Sequence, residues 1–454
     1  MRGEAGVFPL DEATIKAVGN SLARQFREKL GRNPRFLTGR DTRESGDWIE
    51  KAFCAGANEE GAVCESAEII TTPGVAFLTK KFDFDAGIVI SASHNPYQDN
   101  GIKIFSPDGK KIAGAIEREI EKDIFGNSEF KIQDSRFKIQ DSRFKIQDSK
   151  LIEIDDSKSF KYQDVYLDYL SDGFQTLNLT SLKMVIDCAN GAACRLAPKL
   201  FQKLGATAIV TNNAPDGKNI NENCGSLHLE NLQKKVLDEK ADFGVAFDGD
   251  ADRSLFVDEK GNLVDGDAVL WIMANHLQEN GKLNNHTVIA TVMSNIGLEI
   301  ALNSKGIEFR RTSVGDKYVL QELLDTGSAI GGEQSGHIIF PFHSLVGDGM
   351  LTTLFLLEAM MGKGKSLSEM TTGFTKFPQI LVNVKVREKS PFEEVSDIAA
   401  AAAKLEEELG AKGRLLLRYS GTENLARVMI EGENQAQIET QANNLAEIIK
   451  KSLG

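Results

Sequence analysis

An α/β protein built from several modules is what this sequence predicts, and three observations predict it. At 454 residues the chain is longer than one hydrophobic core comfortably serves. Short apolar runs alternate with amphipathic helical stretches, and the alternation starts afresh near Leu182 and again near Asp265. Past Phe377-Pro378 a smaller piece follows, with strands and two helices of its own. The modules are expected at 1–158, 159–262, 263–374 and 375–454.

Taken in order, Met1-Arg2-Gly3 leads directly into an amphipathic helix over roughly 11–30, with Ile15, Val18, Leu22 and Phe26 at helical spacing. Arg35–Thr38 reads as a strand, followed by the charged turn Gly39–Arg43 and a helix. A strand ending near Ile70, then Thr71-Thr72-Pro73 and another helix, lead to Ile88-Val89-Ile90, the kind of run found in parallel strands buried on both faces. Residues 130–150 repeat the unit FKIQDS[R/K] from Phe130, Phe137 and Phe144. Its apolar residues stand first and third in each seven, not at the a and d positions of a coiled coil, and three such units are too few for a solenoid. The repeat reads as a surface insertion without chemistry, since connecting loops tolerate added length.

The second set has strands at Lys183–Asp187, 208–210 and Phe243–Phe247, with the polar loop Asn219–Gly225 between the last two. The third has strands at Thr287–Thr291 and Glu308–Arg311, a Gly-rich loop into a strand over Gly331–Phe340, and a hydrophobic helix over Gly349–Met361. In the last module Leu381–Val386 alternates as a half-exposed strand. Ser390-Pro391-Phe392-Glu393 reads as a capping box opening a helix that Gly410 closes. Two strands flank Arg418–Asn424, and a final helix carries Ile438, Leu445, Ile448 and Ile449 on one face.

Composition narrows the function. A hydrophobic share of 41% and a charged share of 26% suit a soluble globular protein, and the net charge of −13 argues against nucleic acid or an anionic membrane as main partner. The five cysteines form no C-x-x-C pair and suit reduced thiols in a core. With no leader-like start and no membrane-length apolar run, the expected location is the cytoplasm.

Four loops carry candidate chemistry. Ser91-Ala92-Ser93-His94-Asn95-Pro96 follows the buried strand and joins a hydroxyl, Ser93, to an imidazole, His94, with Lys103 in the next strand-like run. That set suits nucleophilic or phosphoryl-transfer chemistry, although Asn95-Pro96 alone also reads as an ordinary turn. Asp248-Gly249-Asp250-Ala251-Asp252-Arg253 sets three carboxylates at alternate positions of a tight loop, which can converge on one hard divalent cation. An EF-hand is excluded because Arg253 stands at the sixth position, which needs Gly, and the flanks read as strands. A solvated acidic turn is the plainer reading, but it gains little from crowding three like charges.

Gly332-Glu333-Gln334-Ser335-Gly336-His337 offers groups that suit a polyol, or else forms a structural turn around a satisfied histidine. Arg418-Tyr419-Ser420-Gly421-Thr422-Glu423, with Arg427 just beyond, makes a credible phosphate cradle, although Ser-Gly-Thr is also common turn chemistry. Together the four loops point to phosphoryl transfer on a sugar phosphate, where positioning and charge neutralisation dominate the barrier. A serine hydrolase is disfavoured, because no G-x-S-x-G elbow with an acid–histidine pair is present.

These motifs resemble the α-D-phosphohexomutase superfamily over nearly the whole chain apart from residues 130–150. SASHNP at 91–96 looks like its phosphoserine loop, DGDADR at 248–253 its metal loop, GEQSGH at 332–337 its sugar loop and RYSGTE at 418–423 its phosphate loop. Gln334, CANGAA at 188–193 and NINENCGS at 219–226 favour the bacterial phosphoglucosamine mutase branch over the phosphomannomutase/phosphoglucomutase branch. The resemblance implies three similar α/β domains with mixed sheets and a smaller α+β C-terminal domain around a central cleft.

It further implies interconversion of glucosamine-6-phosphate and glucosamine-1-phosphate, feeding UDP-N-acetylglucosamine and cell-wall precursor synthesis. Phosphorylated Ser93 would do this through a 1,6-bisphosphate, with a hexose 1,6-bisphosphate as activator. Mg²⁺ would sit on Ser93, Asp248, Asp250 and Asp252; His94, Lys103 and Arg253 would act on the transferring group. Glu333, Ser335, His337, Lys317 and Arg2 would bind the sugar, and Arg418, Ser420, Gly421, Thr422 and Arg427 the phosphate that does not react. A phosphomannomutase/phosphoglucomutase and an inactive sugar-phosphate binder are the alternatives. Neither nucleic acid nor membrane is an expected partner, and the chain is expected as a monomer or homodimer.

Three departures from the family pattern stand out. Only Arg2-Gly3 remains of an expected opening strand and FGTDG-x-RG loop, so a sheet partner and part of the cleft wall are expected to be missing. Ala251 replaces the second Gly of the metal loop, a cost if the backbone there needs positive φ. Asn424 stands where Pro is common, with little consequence expected.

Overall fold

The amphipathic pattern at the start of the chain becomes a helix whose ends are both chemically marked. The computed structural model describes residues 1–126, 154–420 and 423–454, so the FKIQDS repeat lies outside the described residues. Helix α1 (Glu12–Leu30) follows strand β1 (Arg2–Glu4); Asp11 caps it by accepting the Thr14 N–H at 3.0 Å, and Gly31 ends it in the left-handed region. Its buried stripe of Ile15, Val18, Leu22 and Phe26 contributes about 1.5–3 kcal/mol for each large side chain fully buried.

The elements β2 (Arg35–Arg40), α2 (Gly46–Glu59), β3 (Val63–Ile69), α3 (Thr72–Lys81), β4 (Ala86–Ile90), β5 (Asp99–Phe105) and α4 (Gly114–Gly126) complete the first domain. Its sheet runs in the order β1-β5-β4-β2-β3 and is mixed. Strands β4, β2 and β3 are parallel, whereas β5 is antiparallel to β4 and β1 to β5.

The edge strand corrects one expectation. Met1-Arg2-Gly3 does not lead straight into a helix: Arg2 pairs with Gly101, Gly3 with Asn100 and Glu4 with Asp99. Met1 continues the ladder, exchanging both backbone hydrogen bonds with Ile102 at 3.0–3.1 Å. Three residues are too few to show a period of two in sequence; the open edge of β5 determines their conformation.

The second domain follows α5 (Ser159–Asp172) and contains β6 (Lys183–Asp187), α6 (Ala193–Lys203), β7 (Thr207–Thr211), α7 (Glu230–Glu239), β8 (Phe243–Phe247), β9 (Ser254–Asp258) and β10 (Leu263–Val264). Its sheet runs β10-β9-β8-β6-β7, with β8, β6 and β7 parallel and β9 turned back on β8. The third α/β set comprises α8 (Gly266–Glu279), β11 (Thr287–Thr291), α9 (Ile296–Ser304), β12 (Glu308–Thr312), α10 (Asp316–Thr326), β13 (Gly331–Gly332), β14 (Ile338–Ile339), α11 (Gly349–Lys363) and the short α12 (Leu367–Met370). There β13 lies parallel to β11 and antiparallel to β14.

By packing, the chain divides into two units, Met1–Thr291 with Thr312–Thr371, and Val292–Arg311 with Thr372–Gly454. The second unit holds α9 and the C-terminal α+β domain of β15 (Gln379–Lys385), α13 (Ser396–Leu409), β16 (Arg414–Tyr419), β17 (Leu425–Glu431) and α14 (Gln435–Leu453). Its antiparallel sheet runs β15-β17-β16, and the buried Ile438, Leu445 and Ile449 of α14 belong to its core. Buried Glu431 binds this unit internally, accepting from Arg414 Nε at 2.8 Å, Asn295 Nδ2 at 3.2 Å and the Ile296 N–H at 3.2 Å.

The expected capping box at Ser390 is not formed. Residues 392–394 make one 3₁₀ turn, and α13 starts only at Ser396. Ser390 Oγ instead donates to Glu388 at 3.2 Å, and its carbonyl accepts the Tyr419 hydroxyl at 2.5 Å. A capping box does form at Ser366 and Glu369.

Candidate active site

Two parallel strands, β4 and β8, end at the same place, and the loops beyond their carboxyl ends meet there, as is usual for ligand sites in such sheets. Ser93 is buried and holds φ +55°, a left-handed backbone that costs a residue with a Cβ about 1–2 kcal/mol. From it, Oγ donates to Asp248 Oδ2 at 2.5 Å and lies 3.4 Å from His94 Nδ1.

The loop after β8 gathers Asp248, Asp250 and Asp252, all buried, with one carboxylate oxygen of each within 4.8 Å of the others. Lys103 Nζ donates to Asp250 Oδ2 at 2.5 Å and to Asp252 Oδ2 at 3.3 Å, and the Thr72 hydroxyl also donates to Asp250 Oδ2. Asp250 Oδ1 and Asp252 Oδ1 are buried with no hydrogen-bond partner among the described residues. Hard oxygen donors left without partners beside a cation-filled carboxylate pair fit a divalent metal such as magnesium.

The electrostatics follow from this crowding. Burial and its two acidic neighbours push Asp248 well up. Burial alone would raise Asp252 too, but Lys103, His337 and Arg253 outweigh it and hold that carboxyl below the usual range. Burial would lower Lys103, and Asp250 and Asp252 reverse that, so it stays an ammonium. His94 is pushed down to about 4, first by burial and then by Arg253 and Arg2, which leaves a neutral ring at pH 7. Arg253 Nη1 stands 3.3 Å from His94 Nδ1, and Arg2 donates to Asn95 Oδ1 at 3.3 Å.

The backbone of the acidic loop is held mainly from outside the loop, while within it Asp248 Oδ1 accepts the Arg253 N–H at 3.2 Å. Three successive carbonyls, Gly249, Asp250 and Ala251, accept the N–H groups of Ala192, Thr72 and Gly349 at 2.8, 3.0 and 3.0 Å. Those donors stand at the first residue or N-cap of α6, α3 and α11, one helix from each of the first three domains. Ala251 has φ +54°, so the glycine replaced here did correspond to a left-handed position.

The GEQSGH loop is tied to the same region, since the Ser254 N–H, just past the acidic loop, donates to the Gly336 carbonyl at 3.2 Å. Ser335 Oγ donates to Glu333 Oε2 at 3.2 Å, and Glu333 Oε1 accepts the Gly315 N–H at 3.1 Å. Gln334 donates to Asp267 at 3.2 Å. His337 is buried with Nε2 4.0 Å from Asp316, and the next residue, Lys317, places Nζ 4.7 Å from the centre of the Tyr318 ring.

The remaining candidates lie in the second unit. Arg418 on β16 and Arg427 on β17 are partners in register, and burial together with the Arg427 charge pulls Arg418 down. Arg427 Nε is buried without a partner among the described residues. Ser420 Oγ accepts the Glu423 N–H at 3.3 Å, and Lys389 donates to the Ser420 carbonyl at 2.7 Å. Gly421 and Thr422 lie outside the described residues.

Several contributors were not among the predicted site residues. Thr72 reaches Asp250 across 178 residues; Arg43 and Asn221 both bond the carbonyls of Ser93 and Asn95. Thr71-Thr72-Pro73 signals a helix start, which places Thr72, but nothing in the sequence points it at a carboxylate.

Comparison with known proteins matches the chain in four consecutive pieces. Residues 1–131, 164–261 and 265–377 match phosphoglucomutase/phosphomannomutase alpha/beta/alpha domains I, II and III, and 381–448 match the C-terminal domain of that family. The phosphoglucosamine mutase of Solibacter usitatus (strain Ellin6076) is 45% identical over 454 residues, covering 100% of this chain and 98% of its own. A phosphoglucomutase/phosphomannomutase family protein from Burkholderia thailandensis shares the fold with a TM-score of 0.78 at 23% identity, over 100% of this chain and 96% of that one. The N-acetylphosphoglucosamine mutase of Aspergillus fumigatus, solved with GlcNAc-6P and magnesium, has a TM-score of 0.63 at 19% identity, over 84% and 93%.

Proposed function

Because the chain belongs to the phosphoglucomutase/phosphomannomutase family, we propose that it interconverts glucosamine-6-phosphate and glucosamine-1-phosphate through phosphorylated Ser93 and a 1,6-bisphosphate. The observation that carries the mechanism is the Ser93 hydroxyl on Asp248 at 2.5 Å, at the rim of a three-carboxylate cluster with unpartnered oxygens. Asp248, Asp250 and Asp252, with Ser93, would hold a magnesium ion, which supplies positive charge beside the transferring phosphoryl group.

In each transfer Ser93 Oγ and one sugar hydroxyl exchange a phosphoryl group for a proton. The C1 hydroxyl of glucosamine-6-phosphate attacks the phosphoserine; its new O–P bond forms as the Ser93 Oγ–P bond breaks, and the hydroxyl proton ends on Oγ. The neutral His94 ring, 3.4 Å from Oγ, can relay that proton, and Lys103 and Arg253 neutralise charge on the phosphoryl oxygens. After the 1,6-bisphosphate turns over, Ser93 Oγ attacks the 6-phosphoryl group and its proton passes to the released C6 hydroxyl. A hexose 1,6-bisphosphate acts as activator by restoring phosphoserine whenever it is lost.

Glu333, Ser335, His337, Lys317 and Arg2 are assigned to the sugar. Arg418, Ser420, Gly421, Thr422 and Arg427 are assigned to the phosphate that does not react. The corresponding division of labour is a phosphoserine domain over 1–158, a metal domain over 159–262, a sugar domain over 263–374 and a phosphate domain over 375–454. All five cysteines are free and buried, which supports a reducing, cytoplasmic setting. Among the described residues no helix is long and apolar enough to cross a membrane.

The test is a coupled assay for glucosamine-1-phosphate from glucosamine-6-phosphate with Mg²⁺ and a catalytic amount of hexose 1,6-bisphosphate, with Ser93→Ala alongside. Activity in the parent and at most a trace in the variant is the expected result. Faster turnover of glucose or mannose phosphates would move the chain to the phosphoglucomutase/phosphomannomutase branch. Sugar-phosphate binding without any turnover would make it an inactive binder.

A further inference from the structure

We propose that Arg43 and Asn221 are positioning residues that clamp Ser93 in its left-handed backbone conformation and so aim its Oγ at the carboxylate loop. The proposal rests on the reading of Ser93 as the residue that carries the phosphoryl group. Left-handed φ at a residue with a Cβ persists only where the surroundings over-determine it, and Ser93 is at φ +55°.

The surroundings are specific. Arg43 Nη2 donates to the Ser93 carbonyl at 3.2 Å and to the Asn95 carbonyl at 2.6 Å. Asn221 Nδ2 donates to the same two carbonyls, at 2.9 and 3.1 Å. Two carbonyls two residues apart, each gripped by both donors, fix the turn between them. A donor on one carbonyl alone would leave the peptide free to rotate about it.

Each donor is itself held. The Arg43 side chain is fully buried against Asp41, which pairs with its guanidinium and also accepts its backbone N–H at 3.0 Å. Asp41 in turn hangs from the end of β4, donating its N–H to the Ile90 carbonyl at 3.2 Å. Asn221 is nearly buried, sits at φ +59° and donates its N–H to the Ala189 carbonyl at 2.9 Å. The clamp therefore has one jaw on the first domain and one on the second, closed over the turn that carries the nucleophile. A mere glue between two loops would not require both jaws on the same pair of oxygens.

Asn221 is the better probe, because removing Arg43 outright strands a buried carboxylate at Asp41. Full-length Asn221→Ala, Asn221→Asp and Arg43→Lys are loaded with glucose 1,6-bisphosphate, and phosphoserine is counted by intact mass. Single-turnover transfer to saturating glucosamine-6-phosphate is then followed per phosphoserine, with KM and the melting temperature measured beside it. Transfer per phosphoserine falls about 10- to 100-fold in all three, as expected for a reacting atom displaced by up to an ångström, while KM stays within about twofold. A residue that only supports the fold would lower the melting temperature and the loaded fraction and leave that rate alone. A parent that transfers while the loaded variants keep pace within twofold overturns the positioning role only. A parent that takes no phosphoryl group on Ser93 overturns the functional reading, and the clamp's purpose with it.

Discussion

Replacing Gly249 by Ala tests whether the serine loop and the acidic loop must touch through bare backbone. A Cβ at position 249 would lie 2.5 Å from the Ser93 carbonyl oxygen, 2.8 Å from Ile220 Cδ1 and 3.0 Å from Asn221 Nδ2. The isoleucine tip can rotate away. The carbonyl cannot, because Arg43 and Asn221 both hold it. Reaching an ordinary contact of about 3.5 Å therefore requires the two loops to part by about 1 Å. Overpacking of this kind costs about 1–3 kcal/mol of stability, and a misplacement of about 1 Å at a reacting centre costs about 10²-fold in rate. The separation falls on the 2.5 Å bond between Ser93 and Asp248, so the loss belongs in turnover rather than in sugar binding. The assay is the mutase rate at saturating sugar phosphate, normalised to phosphoserine, beside urea unfolding of the same preparation. Parent-like turnover, within about threefold, together with parent-like stability would refute the claim that this contact sets the geometry of the site.

Two other predictions concern groups farther from Ser93. Buried Asp348 caps α11 and accepts the Tyr166 hydroxyl at 2.8 Å, and burial pushes its carboxyl up to about 6. A raised carboxyl contributes stability below about pH 4 that is lost as pH rises through about 6, up to ~3 kcal/mol for a shift of about two units. Asp348→Asn still caps the helix but cannot ionise, so denaturation midpoints from pH 4 to 7 should shift in the variant's favour as pH rises; a pH-independent difference would count against it. In the C-terminal unit, Arg418→Ala should raise KM for the sugar phosphate about 10- to 100-fold and leave the transfer of phosphate from bisphosphate to Ser93 measurable; an unchanged KM would remove Arg418 from the phosphate loop.

What the sequence disclosed, and what it hid, follows the distance over which each feature is determined. The stripe of α1 was legible because its 3.6-residue period is written in 19 consecutive residues, and its ends are marked by Asp11 and Gly31. The acidic loop was legible because three carboxylates in five positions have few structural uses. Strand β1 was hidden, since its pairing partner lies about a hundred residues away on β5. Arg43, Thr72 and Asn221 look like ordinary loop and cap residues until the fold brings them to Ser93 and Asp250. The Ser390 box was a local pattern that the fold did not take up: α13 starts only at Ser396.

The acidic loop also shows how three carboxylates can be buried together in a chain of net charge −13. Its carbonyls point outward onto three helix starts, and those helices direct the positive ends of their dipoles at the loop, a favourable term of about 0.3–1 kcal/mol each and more where water is excluded. Lys103 and Arg253 supply whole charges from the side. The loop's shape thus depends mainly on its backbone bonds, whereas Asp250 Oδ1 and Asp252 Oδ1, the oxygens open to a cation, take no part in those bonds. The two can be separated at Asp252, whose Oδ1 has no hydrogen-bond partner among the described residues: Asp252→Asn should weaken metal binding in a loop of unchanged shape, whereas a Cβ at Gly249 should disturb the shape while every carboxylate remains.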